Sequence, residues 1–382
     1  MAREPWFPTD VVSQMTLRAS LGQAGNAPRY SAQYETYSIG AGGALTALTQ
    51  GNPDLRPEVI TELEVGTDIE LLERFLLNAT YAVSQAKDQI LPVPIYAASG
   101  FGTQWQNAGT LENKTLELSL SVPFVRTADL NWSGRVNYTR NEPIIKRLDV
   151  LPFNIGTTLQ GTGALIRIQE GLRYGTIFGR GFVTSCGQLP TAFQSQCGGA
   201  TSAFQKNSDG YIVWVGEGNN LGMGITDNLW NAMLPDAAGP WGVRANWGMP
   251  IVIRNDDRTA RQVPLGHALP DYQLSFSQNM SFKRFTAYAL LDGPFGQSVW
   301  NQGRHWSFLD FLSDDLDQGG KSVQDAKPIG YWFRAPSPDA SGIGGFYDIL
   351  GPNTETVEDA SYLKLREISV GYHLGAIGGQ GD

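Results

Sequence analysis

Leu130-Asn131-Trp132-Ser133-Gly134-Arg135-Val136-Asn137-Tyr138-Thr139 decides the fold. Leu130, Trp132, Gly134, Val136 and Tyr138 fall on one parity, and Asn131, Ser133, Arg135, Asn137 and Thr139 on the other. Alternation at 180° per residue is the pattern of a strand with one apolar and one polar face. The same period returns in Leu63–Glu70, Phe75–Ser84, Thr115–Val122 and Tyr272–Phe282. Strands are expected near residues 10–20, 59–70, 74–86, 112–122, 129–140, 271–282, 284–292 and 361–373. In the last of them Leu363 and Leu365 share one parity, whereas Ile368, Val370 and Tyr372 take the other. A bulge or register change near Arg366-Glu367 is therefore predicted.

The connections sort by length. Residues 71–73, 123–128 and 283 are short turns, and 21–58, 87–111, 141–270 and 293–360 are long. Strict alternation puts every long loop at one end of an antiparallel sheet and every tight turn at the other. Outer-membrane barrels are built this way, with strands of only about 9–11 residues. A structureless loop as long as 141–270 is foreign to compact soluble domains. That segment, rich in Gly and carrying Trp214, Trp230, Trp241 and Trp247, is expected to form hairpins of its own over the barrel mouth. A secreted β-sandwich or solenoid is the rival class, but no 20–50-residue repeat supports a solenoid.

Composition agrees with an all-β chain. Of 382 residues 45 are Gly and ten are Trp, while charged residues make up 17%. Such a chain is too aromatic for disorder and too poor in charge for a helical bundle. The net charge of −9 argues against a nucleic-acid partner. No run of about 18 apolar residues encodes a membrane helix. The start, MAREPWFPTDVVSQ, lacks the apolar core of a signal peptide.

Catalytic signatures are missing. His267, His305 and His373 stand apart without metal-ligand spacing, and no Gly-x-Ser-x-Gly, His-Glu-x-x-His, Walker or Cys-x-x-Cys motif occurs. No enzyme activity, cofactor or metal is expected. Asn207-Ser208-Asp209-Gly210 has the opening of a calcium loop but no later ligands, so a surface turn is the better reading. Cys186 and Cys197 can close one local disulfide or remain two buried thiols. The tryptophans outside the strands, at 105, 214, 230, 241, 247, 306 and 332, offer flat apolar faces for a sugar ring or an interface. Trp105, Trp214, Trp230, Trp241 and Trp247 are the candidate ligand contacts; packing within the loops is the alternative for each. Glu62, Glu64 and Glu70, with Asp68, share the polar face of one strand and would line a water-filled lumen.

Three stretches carry a family resemblance. Gly51-Asn52-Pro53-Asp54-Leu55-Arg56-Pro57-Glu58, followed by Thr61-Glu62-Leu63-Glu64-Val65-Gly66, resembles a barrel motif of TonB-dependent receptors. Asn107-Ala108-Gly109-Thr110-Leu111-Glu112-Asn113, followed by Leu116-Glu117-Leu118, is similar to a pattern of the SusC/RagA branch. Lys114-Thr115 stands where that branch usually has Gly. Leu269-Pro270-Asp271-Tyr272 and Asp359-Ala360-Ser361-Tyr362-Leu363-Lys364-Leu365-Arg366-Glu367-Ile368-Ser369-Val370-Gly371-Tyr372 resemble late-barrel motifs of the same branch. Physically, the Asn-Pro-Asp and Arg-Pro-Glu steps make a rigid descent from loop to strand, and Asn113 with the neighbouring glycines suits a sharp bend.

The resemblance implies an antiparallel transmembrane β-barrel of 22 strands in the outer membrane, preceded by a plug. It also implies uptake of oligosaccharide or peptide powered by the TonB complex, with a SusD-like surface lipoprotein as lid. Residues 1–382 would then be a partial barrel of about eight strands, an internal fragment without plug, TonB box or final strand, unable to transport alone. Two other functions compete with it: a complete eight-stranded adhesion or binding barrel, and a secreted carbohydrate-active β-protein.

Overall fold

The computed structural model describes residues 11–156, 165–224, 247–259, 261–322, 325–327, 331–332 and 352–374. Eight long strands form one sheet: β1 (Val12–Asn26), β2 (Glu58–Leu71), β3 (Phe75–Lys87), β4 (Gly109–Arg126), β5 (Leu130–Leu148), β6 (Tyr272–Phe282), β7 (Phe285–Phe295) and β8 (Lys364–Tyr372). Their order in the sheet is their order in the chain, and every neighbouring pair is antiparallel. All eight fall where the period-two pattern predicts them.

The short connections are tight. Leu72, Glu73 and Lys283 take left-handed conformations, with φ of 54°, 51° and 51°, to reverse the chain. β5 runs on to Leu148, past the start of the long loop expected from 141. Its extension pairs with β4, where Leu111 opposes Ile145. The register change expected in β8 is present. Leu290 opposes Glu367 and Leu291 opposes Leu365, so Arg366 is the extra residue. Asn113 is a correction: it lies well inside β4, paired with Ser84 and Pro143. The irregularity falls instead between Thr110 and Leu111, where the register against β5 shifts. β1 and β8 are the two free edges, so the eight strands do not close on themselves. The compact eight-stranded barrel is therefore not the architecture.

One face of the sheet is an exposed apolar band. Leu21, Ile368 and Val370 are 75%, 71% and 74% exposed. Register aligns the band across strands: Leu77 with Leu120, Leu120 with Val136, Val136 with Phe276, Phe276 with Leu291, and Leu291 with Leu365. Aromatic rings mark both of its margins. At the long-loop end Tyr272 stacks on Tyr138 and Phe295, with ring centroids 5.6 and 5.2 Å apart. At the turn end Phe124 meets Trp132 at 4.8 Å and Phe285 meets Tyr372 at 4.8 Å. From Tyr272 to Phe282, at ~3.3 Å per residue and a tilt of ~40°, the band stands roughly 25 Å tall, the height of a lipid-facing barrel surface. Gln278, a polar residue inside the band, accepts a hydrogen bond from the Trp132 indole at 3.2 Å.

The buried cores lie in the long connections. Thr36–Ile39, Leu45–Gln50, Ile90–Pro94 and Thr103–Asn107 make one small sheet, and Phe153–Ile155, Ile166–Ile168, Thr176–Arg180 and Gln262–His267 a second. Phe204–Lys206, Ile212–Trp214 and Met249–Pro250 form a third, packed around Val183, Leu189, Phe193 and Ile251. Cys186 and Cys197 are joined in a disulfide beside this core, with Cα atoms 5.7 Å apart. The connection between β7 and β8 contains the helix Gln302–Leu309, whose first turn is capped by Asn301 accepting from the Arg304 backbone N–H at 3.0 Å. Among the described residues no helix is long and apolar enough to cross a membrane.

Candidate functional site

The polar face of the sheet is the wall of a lumen, and its side chains bond laterally from strand to strand. Arg18 of β1 donates to Asp68 of β2 at 2.5 Å and to Thr80 of β3 at 2.7 Å, and lies 3.9 Å from Glu64. The acidic row Glu62, Glu64, Asp68 and Glu70 is thus partly balanced by one guanidinium. Further round, Ser119 donates to Asn137 at 2.8 Å, and Asn137 donates to Ser275 at 3.0 Å. These contacts satisfy polar groups along a surface that carries no apolar core of its own.

The two longest connections meet around a cavity of about 580 Å³ lined by Asp209, Arg304, Lys327, Tyr331, Trp332 and Glu355, among others. Asp209 comes from the connection after β5 and the other five from the connection after β7. Helix Gln302–Leu309 presents Arg304, whose guanidinium reaches Glu358 at 3.2 Å, Asp315 at 3.3 Å and Glu355 at 3.6 Å. Burial opposes that charge, but Glu358, Glu355 and Asp315 outweigh it and hold Arg304 above its ordinary value. Lys327 donates to Ser208 at 2.8 Å and pairs with Asp209 at 3.2 Å. The Tyr331 hydroxyl donates to Asp209, and the Tyr211 hydroxyl to Glu355. Burial, then the adjoining carboxylate, pushes both phenols well above the usual range. Tyr331 and Trp332 pack with Phe182, Val252 and Phe308 to make the apolar floor. The arrangement is a mixed-charge recess with an aromatic floor, whose ion pairs and hydrogen bonds tie the two connections together.

Asn207-Ser208-Asp209-Gly210 is a turn: the Asn207 side chain accepts from the backbone N–H of Asp209 at 3.1 Å and of Tyr211 at 2.9 Å. No group of acids, His or Cys suited to a metal ion occurs among the described residues. Deeper in the same connection Arg254 is buried, which with Arg180 beside it lowers its pKa to about 10. Its guanidinium donates to the Arg258 carbonyl.

The structure scatters the tryptophan candidates. Trp247 is buried with Val213 and Val215. Trp214 packs on the core beside the disulfide. Trp105 is half-buried in Thr103–Asn107, with the Arg29 guanidinium 5.9 Å above its ring. Trp230 and Trp241 lie outside the described residues. Among the described loop tryptophans, Trp332 is the one that lines the cavity. Arg304, Asp209 and Glu355 carried no sequence signal as a group, because nothing local ties positions so far apart.

The sequence motifs prove to be mutual struts. Asn52 donates to the Trp105 carbonyl at 2.8 Å. Asn107 accepts from Arg56 N–H at 2.9 Å and donates to the carbonyls of Arg56 and Asp88 at 2.9 and 2.8 Å. Arg56 also pairs with Asp88 at 2.8 Å, and Glu58 accepts from Ile90 N–H at 2.7 Å. At the late-barrel motif Asp271 takes Arg173 at 2.6 Å and His267 at 2.8 Å. Asp359 accepts from both the backbone and the hydroxyl of Ser361, at 2.8 and 2.5 Å, turning the chain toward β8.

Comparison with known proteins gives this architecture a family. The family described as TonB dependent receptor-like, beta-barrel, matches residues 6–214. The chain belongs to this family. Among curated relatives, TonB-dependent receptor P26 of Formosa agariphila is 23% identical over 96% of this chain and 33% of its own length. TonB-dependent receptor P3 of the same organism is 22% identical over 98% of this chain and 34% of its own length. This TonB-dependent receptor barrel thus spans about a third of the length of the curated relatives it matches. The structure of the RagAB peptide transporter superposes with a TM-score of 0.59 at 17% identity, over 97% of this chain and 36% of that one. The likeness supports the fold. The family is one of outer-membrane receptors and transporters rather than enzymes.

Proposed function

We propose that this chain forms part of the barrel wall of a SusC-like outer-membrane receptor that imports oligosaccharides or peptides with energy from the TonB complex. The carrying observation is the sheet itself: an apolar band roughly 25 Å tall between two aromatic margins, with a polar lumenal face behind it and all elaborate connections at one end. In the assembled receptor the remaining strands, toward a total of 22, pair with the free edges of β1 and β8, since an open edge in lipid is strongly unfavourable. The segment 141–270 and the connection after β7 face the cell exterior. Their recess, floored by Tyr331 and Trp332, is the first contact for the oligomer, with the half-buried Trp105 as a further ligand contact. A SusD-like lipoprotein closes over these loops; the likeness to RagAB, in which RagB is such a lipoprotein, supports a partner of this kind.

The test uses the intact receptor. Purified from outer membranes, it is expected to migrate anomalously before heating and to bring a surface lipoprotein with it. Cells lacking its gene are expected to lose uptake of one class of labelled oligosaccharide or peptide. Recovery in the soluble fraction, with uptake of every oligomer unchanged, would sink the reading.

A further inference from the structure

The outward face of the sheet changes character just above its aromatic margin at the long-loop end. On β4 the parity of Leu120, Leu118 and Leu116 runs on into Lys114 and Glu112, and on β5 that of Val136 and Tyr138 runs on into Arg140 and Glu142. Register keeps the two series level: Leu118 opposes Tyr138, Leu116 opposes Arg140, and Lys114 opposes Glu142. At ~3.3 Å per residue and a tilt of ~40°, Arg140 stands ~5 Å and Lys114 ~10 Å above Tyr138. That is where the hydrocarbon of a bilayer gives way to lipid headgroups.

The charges at this level are organised. Glu112 is buried, and its carboxylate takes Lys146 at 3.0 Å, Lys114 at 3.8 Å and the Gln85 amide at 2.9 Å. One negative charge thus orders two ammoniums, both of which stay exposed. Arg140 meets Glu142 through a single nitrogen at 3.3 Å. Arg147, further up, is taken by Asp149 at 2.8 Å. Lys114, Arg140 and Lys146 therefore face Glu112 and Glu142 with one positive charge in excess and with most of their N–H donors unspent. A phosphate monoester, with about −1.5 to −2 charges and three strong acceptor oxygens, is matched to that excess.

What completes the barrel leaves this surface uncovered. β4 and β5 are the fourth and fifth of the eight strands, and further strands add beside β1 and β8. A plug occupies the lumen, behind the sheet. The outward side of β4 and β5 therefore meets the membrane in the whole receptor.

We propose that Lys114, Arg140 and Lys146 form a headgroup site for a phosphate-bearing lipid of the outer leaflet, whose acyl chains lie along the apolar band over Leu116, Leu118 and Tyr138. The proposal rests on the membrane-barrel reading above and adds a lipid ligand to it. Long Lys and Arg side chains at a membrane boundary reach the headgroup level with their stems on apolar surface, and here a buried carboxylate fixes where two of them point.

The experiment takes the intact receptor, purified in non-ionic detergent and stripped of lipid. It is incubated with diphosphoryl lipid A or with the same lipid after dephosphorylation, and retained adducts are weighed by native mass spectrometry. The phosphorylated lipid should be retained at least fivefold more. A cation near an anionic lipid surface is worth about fivefold in affinity, so R140Q should weaken retention by about fivefold and K114Q/R140Q/K146Q by about fiftyfold or more. K283Q removes an exposed lysine at the opposite margin, over the Phe282 ring, and should leave retention unchanged. Equal retention of the two lipids, full retention by the triple variant, or an equal loss in K283Q overturns the proposal. Equal retention of inorganic phosphate, which has no acyl chains to lie along the band, overturns it as well. If the triple variant does not fold, R140Q alone decides, since the side-chain bond it loses is to Glu142 on the same strand. Heat-modifiable migration of the same preparation reports on the barrel separately, so a failed lipid site leaves the transport reading standing.

Discussion

Breaking the Cys186–Cys197 disulfide offers a quantitative test of how the loops hold together. The bridge closes a loop with a sequence separation of 11. Loop-closure entropy for that length is about 9.3 cal/mol/K, which at 25 °C is about 2.8 kcal/mol of restraint on the opened segment. The bridge sits beside the core formed by Val183, Leu189, Phe193, Phe204 and Ile251, which is independent of the membrane strands. The cost of the C186S/C197S variant therefore falls on local opening rather than on unfolding of the whole barrel. Amide hydrogen exchange reads this directly. The Val183 N–H, bonded to the Ile251 carbonyl at 2.8 Å, and the Ile212 N–H, bonded to Val183 at 2.7 Å, are sensitive reporters. At about 1.4 kcal/mol per decade, their exchange should accelerate by about a hundredfold. Strand amides of β3 and β4 should not change. Acceleration of less than threefold at Val183 and Ile212 would refute the reasoning, and equal acceleration in β3 and β4 would show that loops and barrel unfold as one.

Further perturbations address separate parts of the molecule. N107A removes the three bonds that join Asn107 to Arg56 and Asp88, and should cost about 2–3 kcal/mol, measured as a lower denaturant midpoint. G109A places a methyl group 2.1 Å from the Arg147 carbonyl oxygen; it should lower the temperature of the heat-modifiable transition, at a cost of about 1–3 kcal/mol. R304M leaves Glu355, Glu358 and Asp315 facing one another. After solvent screening that costs about 1–2 kcal/mol, and limited proteolysis should cut the connection between β7 and β8 faster. Hydrogen bonds from Ser361 hold the Asp359 carboxyl below its ordinary value. Its contribution is therefore fully present above the unfolded carboxylate pKa and is lost as pH falls through the lowered folded one. NMR shifts of Ser361 should move only in that acid window, and D359N should abolish the transition.

The membrane strands were legible in the chain because lipid on one side and water on the other impose a strict period of two. Leu130–Thr139 obeys it throughout, and Tyr272–Phe282 obeys it except at Gln278, which the Trp132 indole of the neighbouring strand satisfies. The same logic exposed the extra residue in β8, since a parity switch has no other cheap explanation. Where a residue type serves two purposes, pattern failed. Asn113 has the look of a bend but sits in a straight strand, while Asn107 six residues earlier is the true strut. The loop tryptophans were conspicuous by type, yet Trp214 and Trp247 pack into loop cores, because a large apolar ring in a loop is buried wherever a local core permits.

By itself, then, the sequence determined the all-β class, the eight strands, which face of each is apolar, and the division into short turns and long loops. All of these follow from local periodicity. Tertiary structure alone decided that Asp209 meets Lys327 and Tyr331, that Arg304 collects Glu355, Glu358 and Asp315, and that Glu112 collects Lys114 and Lys146. Those groupings depend on register across strands and on packing between connections widely separated in the chain, and no short-range pattern encodes a contact of that kind.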